Sequence, residues 1–383
     1  MFGKVLLFFL AFGLFTIGTQ LQFAAGVSRV IEIPEKIQAV EEDAFGLELS
    51  SDPFWEEKFQ RLLKRKAFNG TVLIAEKGKI LHAGSYGLVG KASKGDSLDI
   101  QATFQLASVS KTITATAVLQ LFQHQLIDSL DQLVTDFIPE LPYKGVTIRH
   151  LLIHRSGIPR YMPVAEKHWD PEQPLSNQDM LCLLDQHQVP PYFSPGNGFT
   201  YTNTNYALLA LLVERVSQLS FPEYVQRYIF EPAGMKTARV VPVTDTLSKH
   251  AVPGMRRWGR RYRSVARDFL DGVVGDKGVY ASVLDLYQFD QALYAGTLVD
   301  PELLAQAYEP GSPNRKYTNY GLGWRLKHDV DQIVYHFGWW RGFRTAFVRD
   351  LTHQRTLIML SNHDNHHRSY SPWNFLCRFY EPS

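Results

Sequence analysis

Cysteine is scarce: the 383 residues contain two, Cys182 and Cys377. Neither lies near the amino end, so a cysteine-dependent lipid anchor is excluded. One disulfide between them is allowed, but Cys182 lies in the apolar run Met180–Leu184 and reads as a buried free thiol. Charge of one sign is also missing; a net charge of +2 argues for neither nucleic acid nor an acidic partner. There is no His-Glu-x-x-His, and His150 and His154 have no third ligand nearby, so they read as buried structural histidines. The elbow Gly-x-Ser-x-Gly of one large hydrolase class occurs nowhere. Internal repeats and low-complexity tracts are absent as well. Nothing calls for a metal or a cofactor.

Apolar residues make up 45% of the chain and aromatics 13%, enough for a sizeable core. Lys4 precedes an apolar run from Val5 to Ile17. At about 13 residues it is short of the roughly 20 that a membrane span needs, and suits a signal peptide. Residues 1–27 are therefore expected to be a signal peptide, or an anchor if uncleaved, which makes the domain exported. Residues 28–53 read as a linker and 54–383 as one domain, with a mostly helical lobe over about 143–245. Phe54–Phe68 has helical spacing, and Lys77-Gly78 joins two strand-like runs into a hairpin. Strand character returns at Tyr317–Leu326, Ile333–Phe337, Gly342–Arg349 and Thr356–Ser361, followed by a closing helix at Tyr370–Tyr380. The expected class is α+β: an antiparallel sheet flanked by helices, with a helical lobe inserted between its halves.

Three stretches carry chemistry. The first is Ser108-Val-Ser-Lys111, where a polar turn becomes an apolar helical run. Residues three apart share a helix face, so Lys111 would sit beside the Ser108 hydroxyl and take its proton. An ordinary lysine is protonated at neutral pH, so this role requires a cleft. The second is Pro195-Gly196 leading to Tyr201-Thr-Asn203, just ahead of an apolar helix. The third is His336-Phe-Gly338-Trp339-Trp340-Arg341, where a glycine among strand residues signals close approach of another group, a substrate on this reading.

Taken together, these stretches resemble the serine β-lactamase and penicillin-binding-protein superfamily, in its class C β-lactamase and D,D-peptidase/esterase branch. The resemblance covers about residues 54–365 and extends to His150-Leu-Leu-Ile-His-Arg-Ser-Gly, Gly278-Val-Tyr-Ala-Ser and Tyr320-Gly-Leu-Gly-Trp. It implies a β-lactamase/transpeptidase-like α/β/α sandwich and an acyl-enzyme on Ser108. Lys111 and Tyr201 would share the proton, and Asn203 would hold Lys111 and the substrate amide. The backbone N–H groups of Ser108 and Trp339 would form an oxyanion hole beside His336 and Gly338. Tyr-Thr-Asn and His-Phe-Gly replace the Ser-Asp-Asn and Lys-Thr-Gly of class A enzymes, so the class A glutamate mechanism is not expected.

Histidine is mostly neutral at pH 7, so His336 weakens recognition of a carboxylate unless Arg341 or Arg344 supplies the charge. The expected substrate is a small molecule or peptide, with peptidoglycan fragments among the candidates: a D-amino-acid peptide, amide or ester. A class C-like β-lactamase is the alternative, and a penicillin-binding sensor or a non-catalytic scaffold is the alternative from another class. No nucleic acid is expected, and membrane contact only through the amino-terminal segment. Met255-Arg-Arg-Trp-Gly-Arg-Arg-Tyr-Arg reads as a solvated loop over the cleft, with anionic lipid headgroups or peptidoglycan as its other candidate contacts. His363-Asp-Asn-His-His reads as the end of a core strand before a metal cluster.

Overall fold

The computed structural model describes residues 45–65, 68–90, 97–259, 261–311, 320–327 and 332–364, together with Trp373. All fall within the compact unit Lys36–Ser383. The amino-terminal apolar run, the closing helix, Cys377 and the histidines beyond Asp364 lie outside the described residues. No helix among the described residues is long and apolar enough to cross a membrane.

The helix Ser110–Gln123 is buried along nearly its whole length. Such burial suits a sequence that is apolar all round. Its threonines fit because they satisfy themselves locally: Thr112 and Thr116 donate to the carbonyls of Val109 and Thr112, each at 2.9 Å. Beside the helix lies a six-stranded antiparallel sheet. Across it run Lys79–Tyr86, Gly70–Glu76, Arg355–Ser361, Phe343–Asp350, Ile333–Trp340 and Arg325–Lys327. The first two strands thus join the last four, as expected of a sheet split by an insertion. Their hairpin closes on Lys77 and Gly78, both at positive φ, which matches the twist of the flanking strands.

Between Ile148 and Ala233 the inserted segment holds helices joined by loops and no strand, and its longest helix is Asn203–Ser217. Thr147, Ser176 and Ser220 each open a helix with a capping box. Two readings change. Tyr320–Trp324 is a tight turn, not strand, because Gly323 (φ +89) brings the chain so close to Ala115 that a Cβ there would collide with it. Cys182 is exposed, not buried: Met180, Leu181, Leu183 and Leu184 form the inner face of Asn177–Gln186, and position 182 falls on the outer one.

Candidate active site

Ser108 lies in a short 3₁₀ turn, Ala107–Val109, that leads into the buried helix. From Ala102 to Leu121 it is the one residue that is not buried. Ala107 before it has φ +50, a left-handed conformation that costs a residue with a Cβ about 1 kcal/mol. Two strands hold the turn in place. Thr345 Oγ1 donates to the Leu106 carbonyl at 2.7 Å, and Gly338 lies directly against Leu106 and Ala107. The group approaching Gly338 is therefore the serine turn itself, which corrects the expectation of a substrate there. A Cβ at 338 would collide with Thr345 Oγ1 and the Leu106 carbonyl and press on Ala107 at 3.0 Å. Gly338→Ala is expected to cost about 1–3 kcal/mol by overpacking, and to lower kcat/KM about 10²-fold by shifting Ser108. Thermal melts and kinetics on the purified variant check this; unchanged values of both would refute it.

Lys111 is fully buried, and three acceptors surround its Nζ: Ser108 Oγ at 3.1 Å, Asn203 Oδ1 at 2.8 Å and the Asp276 carbonyl at 2.7 Å. The pattern fits either protonation state. An ammonium donates to all three, whereas an amine donates to the two carbonyl-type oxygens and accepts from the serine hydroxyl. Asn203 opens the helix Asn203–Ser217 behind its cap Thr202, which aims its side chain at the lysine. The Tyr201 ring lies against Lys111, with Nζ 5.2 Å from its centroid. Its hydroxyl is buried and has no hydrogen-bond partner among the described residues, so it bonds neither Ser108 nor Lys111 in this arrangement.

His336 lines the site wall, 6.1 Å ring to ring from Tyr201. It is fully buried and both nitrogens are engaged, Nε2 with Tyr320 Oη at 2.9 Å and Nδ1 with the Phe337 carbonyl at 3.0 Å. Burial, then the Arg325 and Lys111 cations, hold its pKa well below the ordinary histidine value. It is neutral and carries no charge for a substrate. His154 is buried and neutral for the same reasons, its ring 4.3 Å from that of Tyr201. Trp339 is exposed, its indole N–H donating to Asp364 at 3.0 Å.

Neither arginine weighed as a replacement charge is poised for that role. Arg341 is paired with Asp268 and Asp271, and Arg344 with Asp364. The cation at the site is Arg325, which sequence reasoning missed. Its guanidinium lies 4.9 Å from the Tyr201 ring centroid and 5.9 Å from that of Tyr320, with no carboxylate partner among the described residues. The available signal was its place directly after Tyr320-Gly-Leu-Gly-Trp324. Also missed was the buried set behind Lys111: Lys277 Nζ reaches Asp276 Oδ1 at 3.3 Å and Tyr161 Oη at 2.9 Å. Gly275 and Gly278, both at positive φ, bracket this pair and could have marked its turn.

The sequence-family profile Beta-lactamase matches residues 55–376. Penicillin-binding protein 4* of Bacillus subtilis is 36% identical over 318 residues, 79% of this chain and 70% of that one. A D-aminopeptidase of Brucella anthropi is 26% identical over 236 residues, 60% of this chain and 43% of that longer protein. Among solved structures, a penicillin binding protein from Bacillus halodurans superposes with a TM-score of 0.74 at 24% identity, covering 84% of this chain and 98% of that one. The D-amino acid amidase from Ochrobactrum anthropi SV3 gives 0.69 at 21% identity, covering 82% and 93%. These two structural likenesses are likenesses of fold.

Proposed function

Because the chain belongs to the beta-lactamase family, we propose that it is a serine hydrolase forming an acyl-enzyme on Ser108 from a D-amino-acid peptide, amide or ester. The observation that carries this is the partly exposed Ser108 hydroxyl, 3.1 Å from the Nζ of a fully buried lysine. Lys111 as the amine takes the serine proton while Oγ attacks the substrate carbonyl carbon. Collapse of the tetrahedral adduct breaks the bond to the leaving nitrogen or oxygen, which receives that proton. The buried, unpartnered Tyr201 hydroxyl is placed to pass it on, since a substrate supplies the hydrogen bond it lacks. Water then cleaves the Ser108 ester, releasing the acid and restoring the hydroxyl. Asn203 Nδ2, whose recorded contact is the weak Met162 Sδ acceptor at 3.9 Å, is available to the substrate amide. The apolar run Val5–Ile17 supports export of the domain.

Arg325 sharpens the substrate class. A guanidinium beside Tyr201 with no carboxylate partner among the described residues is a ready fork for a substrate carboxylate. It restores the charge that neutral His336 does not provide. Arg325→Gln is expected to raise KM for carboxylate-terminated D-peptides about 10–10²-fold, and to leave the matching peptide amides unaffected. Equal losses on acid and amide would refute this role.

The reading as a whole is tested by intact mass after a fluorophosphonate and, separately, after a penicillin, with peptide mapping of the adduct. An adduct on Ser108 with the fluorophosphonate is the expected result. A lasting penicillin adduct then favours a peptidase or sensor, and rapid release favours a β-lactamase. Absence of any adduct would refute the acyl-enzyme and leave a scaffold.

A further inference from the structure

The arginine-rich run expected to be a loop is an antiparallel hairpin, Met255–Trp258 with Arg261–Ser264. Its register sets Arg256 opposite Arg263, and Trp258 opposite Arg261. Side chains alternate along a strand, so these four share one face. On the other face Met255 is buried and Tyr262 is stacked 3.9 Å from His363, while Arg257 and Ser264 are exposed. Like charges directly opposite one another across a ladder are destabilising. Little on the protein relieves this pair: Arg256 has a 3.6 Å contact with Asp364, and Arg263 lies 5.3 Å over the Trp258 ring. Trp258 itself is 68% exposed.

Arg256, Trp258 and Arg263 of this face line an open groove together with Arg267, Asp268 and Arg341. Of its four guanidiniums, Arg256 is paired with Asp364 and Arg341 with Asp268 and Asp271, which leaves Arg263 and Arg267 without a carboxylate partner among the described residues. The groove is rigidly joined to the active-site strand, since a Cβ at Gly254 would collide with the Arg341 carbonyl and one at Gly342 with the Met255 amide. Arg341 opens the turn that follows the strand Ile333–Trp340, three residues beyond Gly338, and Gly338 packs against the residue preceding Ser108.

We propose that this groove binds a phosphodiester-linked anionic polymer and holds one of its units within reach of Ser108. Opposed guanidiniums present paired N–H forks, which match phosphate oxygens, and the exposed indole offers a flat face to the polyol or sugar between phosphates. Presentation to Ser108 rests on the hydrolase reading; binding does not, so it is measured on the Ser108→Ala full chain.

The experiment titrates that protein with fluorescent poly(glycerol phosphate), with poly-glutamate of matched charge and with phosphatidylglycerol vesicles. Expected is saturable, salt-sensitive binding of the phosphate polymer, at least tenfold weaker in Arg256→Gln/Arg263→Gln and intermediate in Arg256→Lys/Arg263→Lys, with no variant melting below the parent protein. Equal affinity of the glutamine variant would overturn the proposal. So would poly-glutamate bound as tightly as the phosphate polymer, or vesicles bound in preference to it. Should the glutamine variant melt early, Trp258→Ala provides the same comparison on a largely exposed side chain.

Discussion

In a Lys111→Met variant, acylation of Ser108 by a fluorophosphonate is expected to slow by about 10²–10⁴-fold, the usual contribution of a positioned base. Among the described residues, Lys111 Nζ is the one basic group within hydrogen-bonding distance of Ser108 Oγ. Methionine keeps most of the volume, so the cleft stays filled. The exchange leaves the Asn203 Oδ1 and Asp276 carbonyl oxygens without their donor, each a loss of about 1–3 kcal/mol. A melt measured beside the labelling rate separates this structural loss from the chemical one. Lys111→Arg provides the sharper control. It keeps donors for the Asn203 and Asp276 oxygens, but a guanidinium is protonated at any working pH and accepts nothing from the serine. Acylation should therefore stay as slow as with methionine even where the arginine variant melts normally. Labelling within tenfold of wild type in either variant would move the base role away from Lys111, with Tyr201 the next candidate.

The parts of the site legible in sequence are those built from local order. Ser108, Lys111, Tyr201, Asn203 and Gly338 sit at fixed spacings on short segments, and the structure brings all five to one place. The same local order showed the hairpin at Lys77-Gly78 and the helical insertion. What was not legible depends on contacts far apart in sequence. Asp276 meets Lys111 across 165 positions, and its carbonyl, not its carboxylate, makes the bond, so no side-chain pattern announces it. Arg325 becomes the site cation because Arg341 and Arg344 are paired with Asp268, Asp271 and Asp364, none of which is predictable from the strand that carries them. Gly338 was correctly marked as a place of close approach, but the approaching group is the chain's own serine turn. A glycine reports that space is tight without saying what fills it.

Acid is expected to unfold the domain through its buried histidines. His154 and His336 are fully buried, and both have pKa values held well below the ordinary value of about 6.5, first by burial and then by neighbouring cations. His363 is pushed down to about 4 by burial alone. Above pH 6.5 these rings are neutral in both the folded and unfolded states, and they add no pH dependence. As the pH falls below 6.5, the unfolded chain binds protons that the folded chain refuses, so stability declines until each folded pKa is reached. For His363 alone, the window from about 6.5 to about 4 amounts to roughly 3 kcal/mol. His154 and His336 add to this decline in the same direction. His82 and His150 are shifted in the same direction. Urea melts at pH 7, 6 and 5 should show the midpoint falling, with net proton uptake on unfolding near pH 5. His336→Phe should lose one unit of that proton uptake while losing the Tyr320 hydrogen bond at every pH, which tells the ring's titration apart from its packing. A midpoint unchanged between pH 7 and 5 would mean that these rings are solvated and free to protonate. The neutral wall beside Tyr201, and with it the case for Arg325 as the carboxylate-binding cation, would then have to be withdrawn.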